Sequence, residues 1–348
     1  MSEWKEYELG DICSRLSSGK GIKATLISDT GEYPIYGGNG IRGYISDYNF
    51  DGDCVIIGRQ GAYCGNVRFF SGKAYMTEHA VIACANNEHN TRYLSYVLSA
   101  MNLGRLSGQS AQPGISVKTL SIQKIKMPPL CIQEKIASII SILEDKIMLN
   151  NATNENLEQQ AQAIYQSMFV SEHHKTDRIG HLSELVAVKY GKDHKKLDEG
   201  IYPVYGSGGI IRYAEKPIYD KESVLIPRKG SLNNVMYVDE PFWSVDTMFY
   251  TEMKMPNVAK FVFHFVKSKD LASLNAGSAV PSMTTDILNS MEVRIPSAER
   301  LSEFEKLVAP LYHEIKENIR QSNNLSTLRD TLLPKLMNGE IDVSAVKI

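Results

Sequence analysis

The sequence predicts an α+β protein built from two pseudo-symmetric globular domains joined by two long helices that form an antiparallel coiled coil. Three observations predict this architecture. A set of sequence blocks occurs twice in the same order, each set is followed by a long heptad-like apolar pattern, and the blocks combine short β-branched segments with glycine-rich turns. The chain has 348 residues, a length that fits two domains.

The duplication is visible in four pairs of blocks. YPIYGGNGIRGY begins at 33 and YPVYGSGGIIRY at 202, while DCVIIGRQG begins at 53 and ESVLIPRKG at 222, both offset by 169 residues. SAQP at 110 and SAVP at 278, like IKMPPL at 125 and VRIPSA at 293, are offset by 168 residues. Because the order of the blocks never changes, they indicate an internal repeat rather than chance similarity.

A seam of apolar residues in alternating steps of four and three follows each set of blocks, which is typical of a coiled-coil helix. Each helix is predicted to cover about 37–39 residues, or about 55–58 Å. Pairing of the two helices is favoured over separate packing of each helix on its own domain. Asn150, Asn154 and Asn318 would then fix the register from within the seam. The predicted helix-pairing residues are Ile136, Ile140, Leu143, Ile147, Leu157 and Ile164 in the first helix, and Val308, Leu311, Ile315, Leu325, Leu332 and Leu336 in the second.

The blocks and helix patterns together predict four consecutive segments. These are a first domain (1–128), a first long helix (129–170), a second domain (171–296), and a second long helix with a C-terminal tail (297–348). Each domain is also predicted to contain one amphipathic helix, at about Thr91–Leu106 and at about Asn257–Leu274. Residues 171–181 are interpreted as a solvated polar linker, in preference to a metal site built on His173 and His174.

Composition narrows the class of protein. No apolar run reaches the length of a membrane span, and the acidic N-terminus lacks the apolar centre of a signal peptide. The five cysteines are irregularly spaced, which favours reduced thiols and a cytoplasmic location. Lys+Arg (38) nearly equals Asp+Glu (40), so affinity for nucleic acid would require a segregated basic face or a basic partner.

The sequence contains none of the phosphate-binding, zinc-protease, hydrolase or kinase motifs that would indicate catalysis. The glycine-rich stretches precede a further strand rather than a helix, so they are interpreted as tight β-turns and not as phosphate loops. We therefore expect a non-catalytic chain that itself holds no cofactor and no metal.

The candidate DNA-binding residues lie in loops that the repeat makes equivalent. Arg59 and Gln60 align with Arg228 and Lys229, and each pair is followed by glycine. Arginine and glutamine can make bidentate contacts with guanine and adenine, and glycine allows a close approach to phosphate. The alternative is that these are ordinary solvated hairpins and charged loops. The remaining candidates are Lys20, Lys23, Arg42, Lys189, Lys192, Lys195, Arg212 and Asn233, with Asn66 and Asn234 nearby.

The chain as a whole resembles the specificity subunits of type I restriction-modification enzymes. The C-terminal LRDTLLPKLMNGEIDV (328–343) is similar to the end of that family's second conserved helix, and WKEYELGDIC (4–13) to the start of its first target-recognition domain. PPLCIQEKIASIISILEDKI and IPSAERLSEFEKLVAPLYHEI resemble its junctions between domain and helix. The first helix departs from the pattern, because it ends in AIYQSMF where the second has LLPKL.

This resemblance implies that each domain reads one half of a bipartite double-stranded DNA target, and that the helices hold the two readers a fixed distance apart. It also implies two methyltransferase subunits that carry S-adenosylmethionine, and restriction (motor-nuclease) subunits, with all catalysis in these partners. Two other interpretations remain open at this point. One is a coiled-coil protein-interaction scaffold without direct DNA contact, and the other is a duplicated enzyme of unknown activity.

Overall fold

The computed structural model describes residues 4–107, 114–171, 177–274 and 282–346. Its contacts divide the chain into unit 1, Met1–Leu149 with Gln321–Ile348, and unit 2, Asn150–Arg320. Each unit therefore combines one globular domain with parts of both long helices. The repeat blocks at 110–113 and 278–281 and the residues His173 and His174 lie outside the described residues.

Unit 1 begins with a globular domain of short strands and helices that ends where the first long helix starts. In chain order its elements are β1 (Lys5–Glu8), α1 (Leu9–Ile12), β2 (Cys13–Ser18), β3 (Tyr33–Gly37), β4 (Gly40–Ile45), β5 (Phe50–Gly58), β6 (Val67–Met76), β7 (Ala80–Ala85), α2 (Thr91–Ala100), α3 (Val117–Ser121), β8 (Lys124–Met127) and α4 (Leu130–Tyr165). Short 3-10 turns lie at Ala24–Leu26, Gly61–Tyr63 and Leu103–Leu106.

A six-stranded sheet of order β2-β7-β5-β6-β3-β4 forms the centre of this domain, and β1 pairs with β8 in a separate ribbon. Successive side chains of β5 point to opposite faces of the sheet and so belong to two different cores. Val55 and Ile57 face α2 and the long helices, while Cys54 and Ile56 face a smaller cluster on the opposite side of the sheet. The predicted tight turn is present, because Gly37 pairs with Gly40 across a two-residue loop.

The second unit repeats this element order. Its elements are β9 (Arg178–His181), α5 (Leu182–Leu185), β10 (Val186–Tyr190), β11 (Tyr202–Gly206), β12 (Gly209–Ala214), β13 (Ser223–Pro227), β14 (Met236–Val238), β15 (Trp243–Ser244), β16 (Met248–Met253), α6 (Ala259–Lys267), α7 (Thr285–Asn289), β17 (Glu292–Ile295) and α8 (Ala298–Met337). A π-helical turn at Gln166–Ser171 follows α4.

One difference separates the two sheets. The long strand β6 of unit 1 corresponds to two short strands in unit 2, β14 and β15, which belong to different sheets of order β10-β16-β13-β14 and β12-β11-β15. Pro241 stands between these two strands, and proline has no backbone N–H to give to a sheet ladder. Pro241 therefore cannot donate a ladder hydrogen bond at the break between β14 and β15.

The long helices pair within each unit. In unit 1, Ile136 and Ile140 of α4 share a core with Leu332 and Leu336 of α8. In unit 2, Ala161 of α4 shares a core with Val308 of α8. The amide of Asn318 donates to Asn154 Oδ1 at 2.9 Å, and Asn150 Nδ2 donates to the carbonyl of Asn318 at 3.3 Å.

All predicted helix-pairing residues are buried or half-buried. In unit 2 the two long helices run antiparallel. Asn150 of α4 contacts Asn318 of α8, and Met168, in the turn that follows α4, contacts Arg300 near the start of α8. The predicted fold class, two similar α+β domains with paired long helices, is confirmed. None of the helices in the described ranges combines the length and apolarity that crossing a bilayer requires.

Two predictions of local structure were wrong. The amphipathic helices are shorter than expected: α2 ends at Ala100, two residues before Asn102 with φ 49°, and α6 begins only after Asn257 with φ 59°. Such left-handed backbone does not continue a helix. The second error concerns the last residues of the predicted linker 171–181, because Arg178–His181 forms β9, paired with β17. The linker residues 172–176 lie outside the described residues.

Candidate nucleic-acid interface

In unit 1 the loop Met76–His79, between β6 and β7, holds two of the predicted DNA-binding loops. The amide of Lys20 donates to the carbonyl of Met76 at 2.9 Å, and the amide of Arg59 donates to the carbonyl of His79 at 2.9 Å. The loop therefore fixes the chain that follows β2 and the chain that follows β5 by backbone bonds, which do not depend on side-chain type.

The side chains at this loop form a polar cluster. Arg59 Nη1 donates to Ser18 Oγ at 3.3 Å and lies 3.5 Å from the carbonyl of Glu78. His79 places Nδ1 3.1 Å from Gln60 Oε1 and Nε2 3.2 Å from Glu78 Oε1. Arg59 is half-buried and Gln60 is exposed, so both side chains remain accessible to solvent while they hydrogen-bond within the cluster.

The glycine-rich turn packs directly on this cluster. A Cβ atom on Gly38 would lie 3.0 Å from the carbonyl oxygen of His79 and 3.5 Å from the amide nitrogen of Arg59. The turn can approach this closely because glycine has no side chain. The β3–β4 turn, the Arg59 loop and the Lys20 loop are thus brought to one place in unit 1.

Unit 2 has the same arrangement around Ser244–Thr247. We call this arrangement, a loop whose carbonyls accept backbone hydrogen bonds from two neighbouring loops, the loop frame. The amide of Lys192 donates to the carbonyl of Ser244 at 2.8 Å, and the amide of Arg228 donates to the carbonyl of Thr247 at 2.8 Å. Arg228 Nη1 donates to the carbonyl of Asp246 at 3.3 Å, and its guanidinium lies 5.3 Å from the centre of the Tyr190 ring. The β11–β12 turn also reaches this place, because Asn234 Nδ2 donates to the carbonyl of Ser207 at 2.7 Å.

The two frames agree in backbone and differ in side chains. Gln60 of unit 1 corresponds to Lys229 in unit 2, and His79 corresponds to Thr247. Arg59 and Arg228 occupy the same position in both. A shared frame with different polar groups is what two readers of different sequences would require.

The other predicted DNA-binding residues are not tied to these frames by the contacts of the described residues. Lys189 pairs with Glu252 on the neighbouring strand at 3.7 Å, and Arg212 donates to the carbonyl of Leu197 at 3.0 Å. Asn233 uses both ends of its amide within unit 2, donating to Asp270 and accepting from the amide of Ala272. Lys23, Arg42 and Lys195 are exposed.

Sequence reasoning missed Glu78, His79 and Asp246, which complete the frames. The segments MTEHA (76–80) and SVDTM (244–248) are offset by 168 residues, like the later repeat blocks, but share no residue at equivalent positions. Only the constant offset could have located them.

Metal and thiol chemistry do not define a site within the described ranges. There, no group of three or more His, Cys, Asp and Glu side chains is arranged to hold a metal ion. The five cysteines are free, and burial raises the pKa of the Cys13 thiol to about 12, so that it stays protonated near neutral pH.

The fold and the two loop frames define a duplicated, helix-joined protein with one polar loop cluster in each unit. A model of the type I restriction modification DNA specificity domain matches residues 1–159 and 173–322. The chain belongs to this family.

Relatives agree with this family assignment, and a solved structure shares the fold. A type I restriction enzyme specificity subunit of Escherichia coli is 41% identical over 157 residues, which are 44% of this chain and 38% of that protein. A putative type I specificity subunit of Mycoplasma pneumoniae is 23% identical over 330 residues, 89% of each chain. The crystal structure of a type I restriction-modification S subunit from M. genitalium has the same fold, with a TM-score of 0.71, 19% identity and 96% coverage of each chain.

Proposed function

We propose that this chain is the specificity subunit of a type I restriction-modification complex, in which each unit reads one half of a bipartite DNA target. The observation that carries the proposal is the loop frame that occurs once in each unit with the same backbone bonds and different polar side chains. Because the frames differ in chemistry, the two half-sites differ in sequence.

Base recognition falls to the side chains at the end of β5 and β13. Arg59 and Arg228 are suited to bidentate contacts with the O6 and N7 atoms of guanine, and Gln60 to the N6 and N7 atoms of adenine. Lys20 and Lys192 are exposed at the neighbouring loop and are suited to phosphates, which position a protein on DNA without reading its sequence.

Catalysis belongs to partner subunits in this proposal. Two methyltransferase subunits carry S-adenosylmethionine and methylate adenine, and restriction (motor-nuclease) subunits join for cleavage. Apolar side chains exposed on α4 support a docking role: Ile142, Met148 and Leu149 are 61%, 59% and 58% exposed. Basic surface on the partners would supply the phosphate contacts that a chain of net charge −2 provides only sparsely.

The experiment that tests direct DNA contact is a salt titration of DNA binding by the purified complex. Each phosphate that a lysine neutralises contributes about −0.9 to the slope of log K against log salt concentration. We expect Lys20→Ala to make this slope shallower by about one, equally for all DNA sequences. Lys124→Ala is the control, because Lys124 is exposed and pairs with Glu6 at 3.2 Å in the β1–β8 ribbon. An unchanged slope for Lys20→Ala and Lys192→Ala would favour a scaffold that does not contact DNA.

Loss of either reading arginine is expected to relax specificity at one half-site only. Arg59→Ala should reduce discrimination at one base position by about 1–3 kcal/mol, and Arg228→Ala should do so in the other half-site. Competition binding against targets with single base changes in each half-site measures this. Equal loss across both half-sites would contradict the division of labour between the units.

A further inference from the structure

Helix α6 of unit 2 carries a buried lysine that joins the globular domain to the long helix. Lys260 is 4% exposed, and its Nζ lies 2.7 Å from Glu305 Oε1 on α8 and 3.1 Å from Glu222 Oε1 beside β13. The ammonium also lies 5.0 Å from the ring centre of Tyr237 on β14 and 5.7 Å from that of Tyr312 on α8.

One helical turn later, His264 makes a second connection to both long helices. Its Nδ1 lies 2.7 Å from Gln162 Oε1 on α4, and its Nε2 lies 3.0 Å from the Tyr312 hydroxyl on α8. Burial lowers the pKa of His264 to about 4, so the imidazole is neutral near pH 7. An amide oxygen only accepts, so Nδ1 carries the proton and Nε2 accepts from the Tyr312 hydroxyl.

Unit 1 has an equivalent polar cluster, in which an arginine takes the place of the lysine. Arg92 on α2 donates to Glu144 Oε2 on α4 at 3.1 Å, and its guanidinium lies 5.0 Å from the ring centre of Phe69 on β6. The hydroxyl of Tyr96 donates to the same Glu144 oxygen at 2.8 Å. Arg92 also lies 3.4 Å from Asp145.

The two clusters occupy equivalent positions. Residues 69, 92, 96 and 144 of unit 1 correspond to 237, 260, 264 and 312 of unit 2, with one offset of 168 throughout. Each cluster places a cation over an aromatic ring of the sheet and connects the domain's helix to a long helix. The side chains differ, with a carboxylate on the long helix in unit 1 and a phenol in unit 2, so the position is kept while the chemistry changes.

Such polar contacts constrain the angle between the domain's helix and the long helix, whereas burial of apolar side chains does not. Hydrophobic burial is non-directional, whereas hydrogen bonds weaken steeply when their geometry is disturbed. Helices α2 and α6 pack on β5 and β13, the strands that end immediately before Arg59 and Arg228. The two clusters therefore belong to the helices that connect the long helices to the strands preceding the reading arginines.

We propose that these clusters are clamps that fix the angle of each reading domain on its long helices, and thereby set how strictly the complex measures the spacer of its target. Arg92, Tyr96, Lys260 and His264 are positioning residues that touch no DNA. This inference rests on the proposed function. One added base pair moves a half-site by about 3.4 Å and turns it by about 35°, which a clamped reader follows poorly.

The test measures DNA methylation by the complete methyltransferase complex on targets with the native spacer and with one base pair more or fewer. Lys260→Met, Arg92→Met and Tyr312→Phe should each lower the ratio of rates between native and altered spacers by about fivefold or more. Base preference within each half-site should not change. Lys260→Arg, which keeps the charge, should restore most of the ratio. Lys216→Met is the control, since Lys216 is 62% exposed and pairs with the adjacent Glu215.

The outcomes separate the clamp from mere stabilisation and from failure of the proposed function. If a variant lowers methylation of all spacers equally, the residues only stabilise the fold and the inference is overturned. Tyr312→Phe decides the matter if Lys260→Met does not fold, because it removes one hydroxyl and keeps the ring. If the wild-type complex itself shows no spacer preference, the proposed function fails; if it does and the variants keep its ratio, only the clamp fails.

Discussion

Phe304→Ala is expected to lower the free energy of unfolding by about 3–5 kcal/mol, because it empties the centre of the unit 2 core. Phe304 lies on α8 with no exposed surface, and its ring centre lies 5.2 Å from that of Phe169 and 5.9 Å from that of His264. These neighbours come from the π-helical turn that follows α4 and from α6, so the cavity would loosen the packing of the domain against the long helices. Urea denaturation followed by circular dichroism measures the change.

Leu307→Ala is the matched control on the same helix. Leu307 is 49% exposed, so its truncation should change the free energy of unfolding by no more than about 0.5 kcal/mol. A loss for Phe304→Ala as small as that of Leu307→Ala would mean that α8 does not pack on the domain as described.

Lengthening both long helices is expected to lengthen the spacer of the DNA target. Four residues added to each helix, after Leu149 and after Arg320, extend a helix by about 6 Å, which is close to two base pairs of DNA. Both sites fall where the two units divide, inside α4 and α8. Because the insertions match, the seam residues on either side can still pair. Methylation mapping of a host that carries the lengthened chain measures the new spacer.

Insertion into only one helix is the control. It would put the packing of Ile136 and Ile140 against Leu332 and Leu336 out of register with the hydrogen bonds of Asn318 to Asn150 and Asn154, and should prevent assembly of an active complex. A matched pair of insertions that leaves the spacer unchanged would contradict the idea that the helices measure distance.

The repeat and the helix seam could be predicted because they depend on local pattern. Tight turns need glycine, as at Gly37–Gly40, and paired helices need apolar residues at regular spacing, as at Ile136 and Ile140. These requirements leave the same residue types in both copies, so the copies can be aligned by eye.

Features that depend on distant contacts could not be predicted in the same way. The strand β9 forms only because β17, more than a hundred residues later, pairs with it. The loops at 76–79 and 244–247 hold their neighbours by backbone carbonyls, which leave no mark on side-chain identity. The cluster at Lys260 occupies the same repeat positions as the cluster at Arg92, but its residue types differ. A search for similar residues in the two copies therefore does not find it.

Exchange of residues 1–127 for the corresponding domain of a family member with a different target tests the central claim most directly. Methylation of the host genome would be mapped by long-read sequencing with the original chain, with the hybrid and with neither. We predict a bipartite methylated sequence that depends on the chain, and a hybrid that changes one half-site while the other half-site and the spacer stay the same. A change in both half-sites, or in neither, would contradict the account that each unit reads its own half of the target.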